Sequence, residues 1–199
     1  MERTPVTATP ADTRMAPPAR PEAARPGAAP VRLVPYGEGD FAQLVRHNTP
    51  EMTEHLGGPE SDEQLRDRHR RYVGLDHRGR MYKILTADTG EAAGLVGCWE
   101  TIHGGETVWE AGWGVLPEFQ GRGIAVAATR LVAEEARGTG RHGSLHAFPA
   151  ATNTASNAVC RKAGFTLVGS GDFEYPKGQW RRCNDWALDL RGRGPLAAA

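Results

Sequence analysis

The run Val115-Leu-Pro-Glu-Phe-Gln-Gly-Arg-Gly-Ile-Ala125 limits what this chain can fold into more than any other stretch. The residues before it, from about Thr107, read as a strand. From about Gly123 to Arg137, Ile124, Ala128, Leu131 and Val132 recur three and four apart, the period of a helix. Strand and helix are joined by a short loop holding Gly121 and Gly123. A helix start carries unpaired N–H groups and a partial positive charge, and glycine lets the backbone come close to an anion. The combination suits a diphosphate and requires no lysine. A phosphate loop of the GKS/GKT type is excluded, because Ile124-Ala125 occupies that place. A dinucleotide fingerprint is excluded too: Val126 stands where its third glycine belongs, and the loop lies past the middle of the chain. The plain alternative is an ordinary strand-to-helix turn.

The rest of the chain supplies a frame for that loop. Residues 1–30 hold half of the prolines mixed with Ala, Thr and Arg, and almost no side chains able to build a core. Such a segment reads as a disordered tail; it has no apolar run of a secretory leader. The domain is expected over 31–191, with a flexible tail over 192–199. Val31–Tyr36 reads as a first strand. Asp40 is placed to cap a helix to about Asn48, which Pro50 stops, and Ser61 with Gln64 has capping-box spacing for a helix to about Leu75. Three strands follow, Met81–Ala87, Gly94–His103 and Thr107–Val115, joined by tight turns. The helix after the loop is expected to end on Gly138. Ser144–Phe148 reads as a strand, and Asn153–Ala163 as a helix ended by Gly164. Thr166–Gly169 and Trp180–Leu190 read as two last strands pairing around Pro176-Lys177-Gly178. The order β, α, α, β, β, β, α, β, α, β, β is that of a mixed α/β domain with one central sheet.

Balanced charge, with 24 basic and 24 acidic residues, argues against a nucleic-acid binder acting through bulk electrostatics. No stretch approaches a membrane span. Cys98, Cys160 and Cys183 are widely spaced and read as reduced thiols of a cytoplasmic protein, with no metal site.

A second block, Asn153-Thr-Ala-Ser-Asn-Ala-Val-Cys-Arg-Lys-Ala-Gly-Phe165, follows one strand later. With it the chain resembles the GNAT superfamily of N-acetyltransferases over roughly 31–191. Gln120, Gly123 and Ala125 match that family's Q/R-x-x-G-x-G/A signature; Asn153, Ser156, Gly164 and Phe165 match its later block. The pattern is most similar to the Rim-type branch, which acts on ribosomal-protein N-termini.

The resemblance implies a mostly antiparallel central sheet, splayed in the middle and flanked by helices, with acetyl-CoA as co-substrate in the gap. Backbone groups near Val115 would meet the pantetheine arm. The amides of Gln120, Gly121, Arg122, Gly123, Ile124 and Ala125 would hold the pyrophosphate. Asn153 would reach the cofactor, although a cap on its helix is an equally natural role. Arg122, Arg161 and Lys162 would meet the adenosine phosphates or form a solvated face. Direct acetyl transfer needs a neutral amine and a proton for the departing thiolate. Glu110 is the candidate base: alternation sends it to one sheet face with Gly112 and Gly114, leaving room for a substrate, and sends Trp109 and Trp113 to the other. Cys160 stands where many members carry a tyrosine acid, so Ser156 becomes the candidate proton donor. Cys160 as a nucleophile competes with a buried packing role, and His146 is left outside the catalytic set. The tryptophans read as core. The acceptor is expected to be a small-molecule amine, with a protein N-terminus as the alternative. A non-catalytic acyl-CoA sensor is a third reading, left open by the missing tyrosine. Dimers are common among similar proteins, so a homodimer is a further expectation.

Overall fold

A computed structural model describes residues 31–174 and 178–192. The tail read over 1–30, the residues 193–199, and Pro176 and Lys177 of the last turn lie outside the described residues. A seven-stranded sheet runs in the order β1-β2-β3-β4-β5-β7-β6. Its strands are β1 (Val31–Pro35), β2 (Gly79–Thr86), β3 (Ala92–His103), β4 (Glu106–Val115), β5 (Ser144–Ala147), β6 (Thr166–Glu174) and β7 (Trp180–Asp189). The helices are α1 (Phe41–His47), α2 (Pro50–Thr53), α3 (Asp62–Val73), α4 (Ile124–Thr139) and α5 (Thr154–Ala163), with short 3-10 turns between. Neighbouring strands pair antiparallel except β4 with β5. That parallel pair needs a crossover, which α4 supplies. The mixed α/β sheet architecture expected from the element order is the one observed.

Alternation sorts the side chains onto two faces. On the back, Val96, Cys98, Trp109, Ala111, Val115, Leu145, Trp186 and Leu188 pack against α4 and α5 in the main core. Helix α4 lies close to the sheet because its inner stripe is short-chained: Ala128, Val132, Ala133 and Ala136 are all buried. On the front, Met81 and Leu95 join Tyr36, Leu44 and Leu65 in a second cluster under α1 and α3.

Ser61 Oγ accepts from Gln64 N–H, and Gln64 Oε1 accepts from Ser61 N–H at 2.8 Å, a complete capping box. Asp40 precedes α1 as expected, but its carboxylate accepts from Gly37 N–H and pairs with Lys83 Nζ at 2.7 Å instead of capping the helix. Pro50 does not merely stop α1; it opens α2, where a missing N–H costs nothing, behind a Thr49 cap. Helix α4 runs through Gly138 and ends on Gly140, which takes the left-handed conformation at φ 63°. One glycine cannot be told from another two residues on by sequence alone. Strand β6 continues past Gly169 to Glu174, paired with β7 throughout. Among the described residues, no helix is long and apolar enough to cross a membrane.

Candidate active site

The glycine loop and the strand before it form one side of the site. Leu116 N–H donates to Ala93 O at 2.9 Å. In an antiparallel pair the backbone groups alternate sides, so Gly112 and Gly114 turn theirs to β3, and Ala111, Trp113 and Val115 turn theirs toward β5. Yet the β4–β5 ladder pairs only Trp109 with Leu145 and Glu110 with His146. Beyond Glu110 the two strands part, and the backbone of Ala111, Trp113 and Val115 faces a gap. Gln120 reaches back across the loop, its Nε2 donating to Val115 O at 2.9 Å.

At the mouth of this gap α4 begins. Gly121 and Gly123 both adopt positive φ, 74° and 76°, a region that disfavours a side chain. Gly123 is the N-cap residue, no side chain caps the helix, and its first turn holds no acidic residue. Gln120, Gly121, Arg122 and Gly123 are exposed, and the space beside both glycines is open. The result is an uncapped, positively polarised helix start beside exposed backbone amides, which fits a diphosphate. Arg122 stays on this loop: it donates to Glu118 O and lies over the Phe119 ring. Arg161 instead lies over the Trp186 ring, away from an extended pose.

Helix α5, which follows the loop after β5, opens with Asn153 and Ser156. Asn153 Oδ1 accepts from Ser156 N–H at 2.9 Å, so the capping role is realised. Ser156 is half-buried in the same turn. The next residue, Asn157, escaped the sequence reading. Its Nδ2 donates to Ala150 O and Asn153 O, and its Oδ1 accepts from Asn184 Nδ2 and Trp186 Nε1, all at 2.7–3.0 Å. A buried amide with every donor and acceptor engaged ties α5 to β7 and to the loop after β5. Asn157→Leu should cost about 3 kcal/mol, since it strands several buried polar groups at once. Urea unfolding measures this, and a loss below ~1 kcal/mol would show that the hub contributes little.

The front face beside the gap carries Glu110. Alternation places it as expected, with Trp109 and Trp113 on the back core. The room expected above its neighbouring glycines is filled, however. A side chain on Gly112 would strike the Trp99 ring at 2.6 Å, and one on Gly114 would meet His47 at 3.0 Å. The glycines there admit an indole and an imidazole, not substrate. Burial raises the Glu110 carboxyl above its ordinary range; hydrogen bonds from Trp99 and Thr101 and the charge of His103 oppose this without cancelling it. A carboxyl so placed holds a proton more tightly than an ordinary one. His47, seated by Gln43 O at 2.7 Å and Gly114 O at 3.2 Å, has its basicity lowered by burial. No local pattern marks it, because only the packing of α1 on β4 brings it here.

Cys160 is fully buried on the inner face of α5, and burial pushes its thiol up to about 12. That removes it as a nucleophile and leaves the packing role. Trp109 and Trp186 are core as expected, while Trp99 is half-buried on the front face and Trp180 is exposed.

Comparison with known proteins follows the same lines. The model of the acetyltransferase (GNAT) domain matches residues 31–166. No curated protein matches the chain. Among solved structures, an acetyltransferase from Salmonella typhimurium that modifies the N-terminal serine of the 50S ribosomal subunit protein L7/L12 superimposes with a TM-score of 0.67. It is 23% identical, over 82% of this chain and 97% of that one. The spermidine N-acetyltransferase from Vibrio cholerae, solved with CoA and spermine, gives 0.67 at 17% identity over 82% and 98%. The aminoglycoside acetyltransferase AAC(6')-Ib, solved with coenzyme A, gives 0.64 at 17% over 81% and 95%. At these identities the structures establish the shared fold. The family model spans well over half of the sequence and both of its signature blocks, and on that ground this chain belongs to the GNAT family of acetyltransferases.

Proposed function

We propose that this enzyme transfers the acetyl group of acetyl-CoA directly to the primary amine of a small molecule. The observation that carries this reading is the parting of β4 from β5 immediately before an uncapped glycine helix start. The backbone of Trp113 and the N–H of Val115, whose carbonyl Gln120 already holds, would hydrogen-bond a pantetheine arm much as a missing strand would. The amides of Gln120, Gly121, Arg122, Gly123, Ile124 and Ala125 would hold the pyrophosphate, with Arg122 close enough to add charge. Solved relatives of this fold with coenzyme A bound are consistent with that assignment. Asn153 serves the site by fixing the first turn of α5, and so the position of Ser156.

Glu110 is the base in this scheme. It takes a proton from the acceptor amine, whose ammonium form has a pKa near 10 and cannot attack. Ser156 donates toward the departing thiolate. Trp99 and Thr101 hold the Glu110 carboxylate in place through their hydrogen bonds. A small acceptor is favoured because Trp99 and His47 fill the front face over Gly112 and Gly114. Arg181, from the start of β7, also donates to His55 O and ties the two walls of that face together. The alternative acceptor is a protein N-terminus, the substrate of the Salmonella typhimurium relative.

Free-thiol release from acetyl-CoA against a panel of amines and N-terminal peptides tests the reading. Release with small amines is expected. Release with peptides alone would replace the small amine by a protein acceptor. Coenzyme A binding without release on any acceptor would point to the acyl-CoA sensor.

A further inference from the structure

Three strands bring His103, His146 and Asp185 together on the front face. Val96 and Cys98 of β3, Leu145 and Ala147 of β5, and Trp186 and Leu188 of β7 all point into the back core. Alternation therefore sends the two histidines and the aspartate to the other side. His103 Nε2 lies 2.8 Å from Asp185 Oδ2, and His146 Nδ1 lies 2.8 Å from Asp185 Oδ1. One possible ligand atom from each of the three residues lies within 4.8 Å of the other two. The imidazoles are 4.9 Å apart between centroids, and Phe148 packs on both. Asp185 and His146 are buried, whereas the His103 side chain keeps 31% of its surface in solvent.

Two imidazoles and one carboxylate are a ligand set that zinc takes in three-ligand sites, with the fourth position left to water. Ligand atoms about 2.1 Å from a tetrahedral ion stand about 3.4 Å from one another. Both histidine contacts to Asp185 are shorter than that, and no separation in the trio exceeds 4.8 Å. Closure on an ion thus asks for at most about 1.4 Å at the widest pair. The partly exposed His103 ring can supply this by rotating, while the buried pair stays on its strands. Charge points the same way. Among the described residues, the ion-pair partners of Asp185 are these two histidines. With both rings neutral, the buried carboxylate lacks a compensating cation, and a buried charge is costly unless it is paired or bound to a metal.

We propose that His103, His146 and Asp185 form a zinc site, with the open coordination position on the solvent side of His103. Zinc replaces the two hydrogen bonds to Asp185. Each neutral ring turns an unprotonated nitrogen to the ion and keeps its proton on the other nitrogen, so no group is oxidised or reduced. Sequence alone suggests no metal site, because the histidines stand 39 and 82 positions from Asp185.

The test is calorimetric titration of zinc chloride into the full chain after treatment with a chelator. One equivalent should bind. His103→Gln and Asp185→Asn should each weaken binding about a hundredfold or more, beyond the usual effect of removing a residue that only supports a ligand. His77→Gln, at an exposed turn, should bind as the parent does. No zinc binding by the parent, undiminished binding in His103→Gln, or an equal loss in His77→Gln would overturn the site and leave a trio held by hydrogen bonds alone. His103→Gln changes a partly exposed side chain and should melt close to the zinc-free parent. Should it fail to fold, cobalt(II) in the parent decides. Paramagnetically shifted ring protons from two histidines support the site, and any other number overturns it. Acetyl transfer is not measured in any arm, so the outcome is independent of the role given to Glu110.

Discussion

Replacing Gly123 by glutamate is expected to weaken coenzyme A binding about a hundredfold or more, with the fold retained. Three effects act at that one position. Gly123 sits at φ 76°, where an ordinary side chain costs about 1–2 kcal/mol. The residue is the N-cap of α4, so the new carboxylate would compete with a diphosphate for the same uncapped N–H groups. A negative charge about 4 Å from a phosphate adds repulsion of up to about 4 kcal/mol near a protein surface. Even a fraction of that total exceeds the ~2.8 kcal/mol that a hundredfold in affinity requires. Gly123→Asn separates strain from charge, because asparagine tolerates the left-handed region better than other side chains. The asparagine variant should bind within about tenfold of the parent if charge dominates. Calorimetric titration with coenzyme A reads both. Parent-like affinity in Gly123→Glu would place the cofactor somewhere other than the start of α4.

The site divides into parts that sequence reveals and parts that it hides, and the division follows the range of the interactions. The glycine loop is legible because its conformation is that of the backbone: two glycines at positive φ between a strand and a helix leave the start of α4 open and uncapped. The side of Glu110 is legible because strand alternation has a period of two. The occupants of the space over Gly112 and Gly114 are not legible, since Trp99 arrives from the next strand and His47 from α1. Asn157 is hidden for a related reason. Its neighbours in the motif suggest a helix start, but its value lies in Asn184 and Trp186, some thirty residues on. Asp185 pairs with one histidine 39 positions away and another 82 away, so no local pattern could join them. The small boundary errors have a different cause. Gly138 and Gly140 are both competent helix stops, and only Gly140 takes the left-handed conformation that closes α4, its N–H donating to Arg137 O.

Glu110→Gln should lower kcat about a hundredfold, leave coenzyme A affinity near that of the parent, and raise the stability of the fold at neutral pH. The first effect is the ordinary contribution of a positioned base. The second follows because Glu110 sits on the front face, whereas the diphosphate site proposed above is the start of α4. The third comes from the raised carboxyl. A carboxyl shifted up holds its proton in the folded state at pH values where the unfolded chain has already released it. Its contribution to stability therefore falls as pH rises from the ordinary carboxyl range, near 4.5, through the raised folded range. Glutamine keeps the shape, accepts from Trp99 and Thr101 through its carbonyl oxygen, and carries no charge to desolvate. Melting temperatures of the two proteins should thus converge at low pH, where Glu110 is protonated, and diverge toward neutrality with glutamine higher. In the parent, turnover should rise with pH as Glu110 ionises, and the variant should lose that limb of the profile. Unchanged turnover would remove Glu110 from the mechanism. Lower melting at neutral pH would mean that its ionised form, held by Trp99, Thr101 and His103, stabilises the fold, and that the desolvation ascribed to it is more than offset.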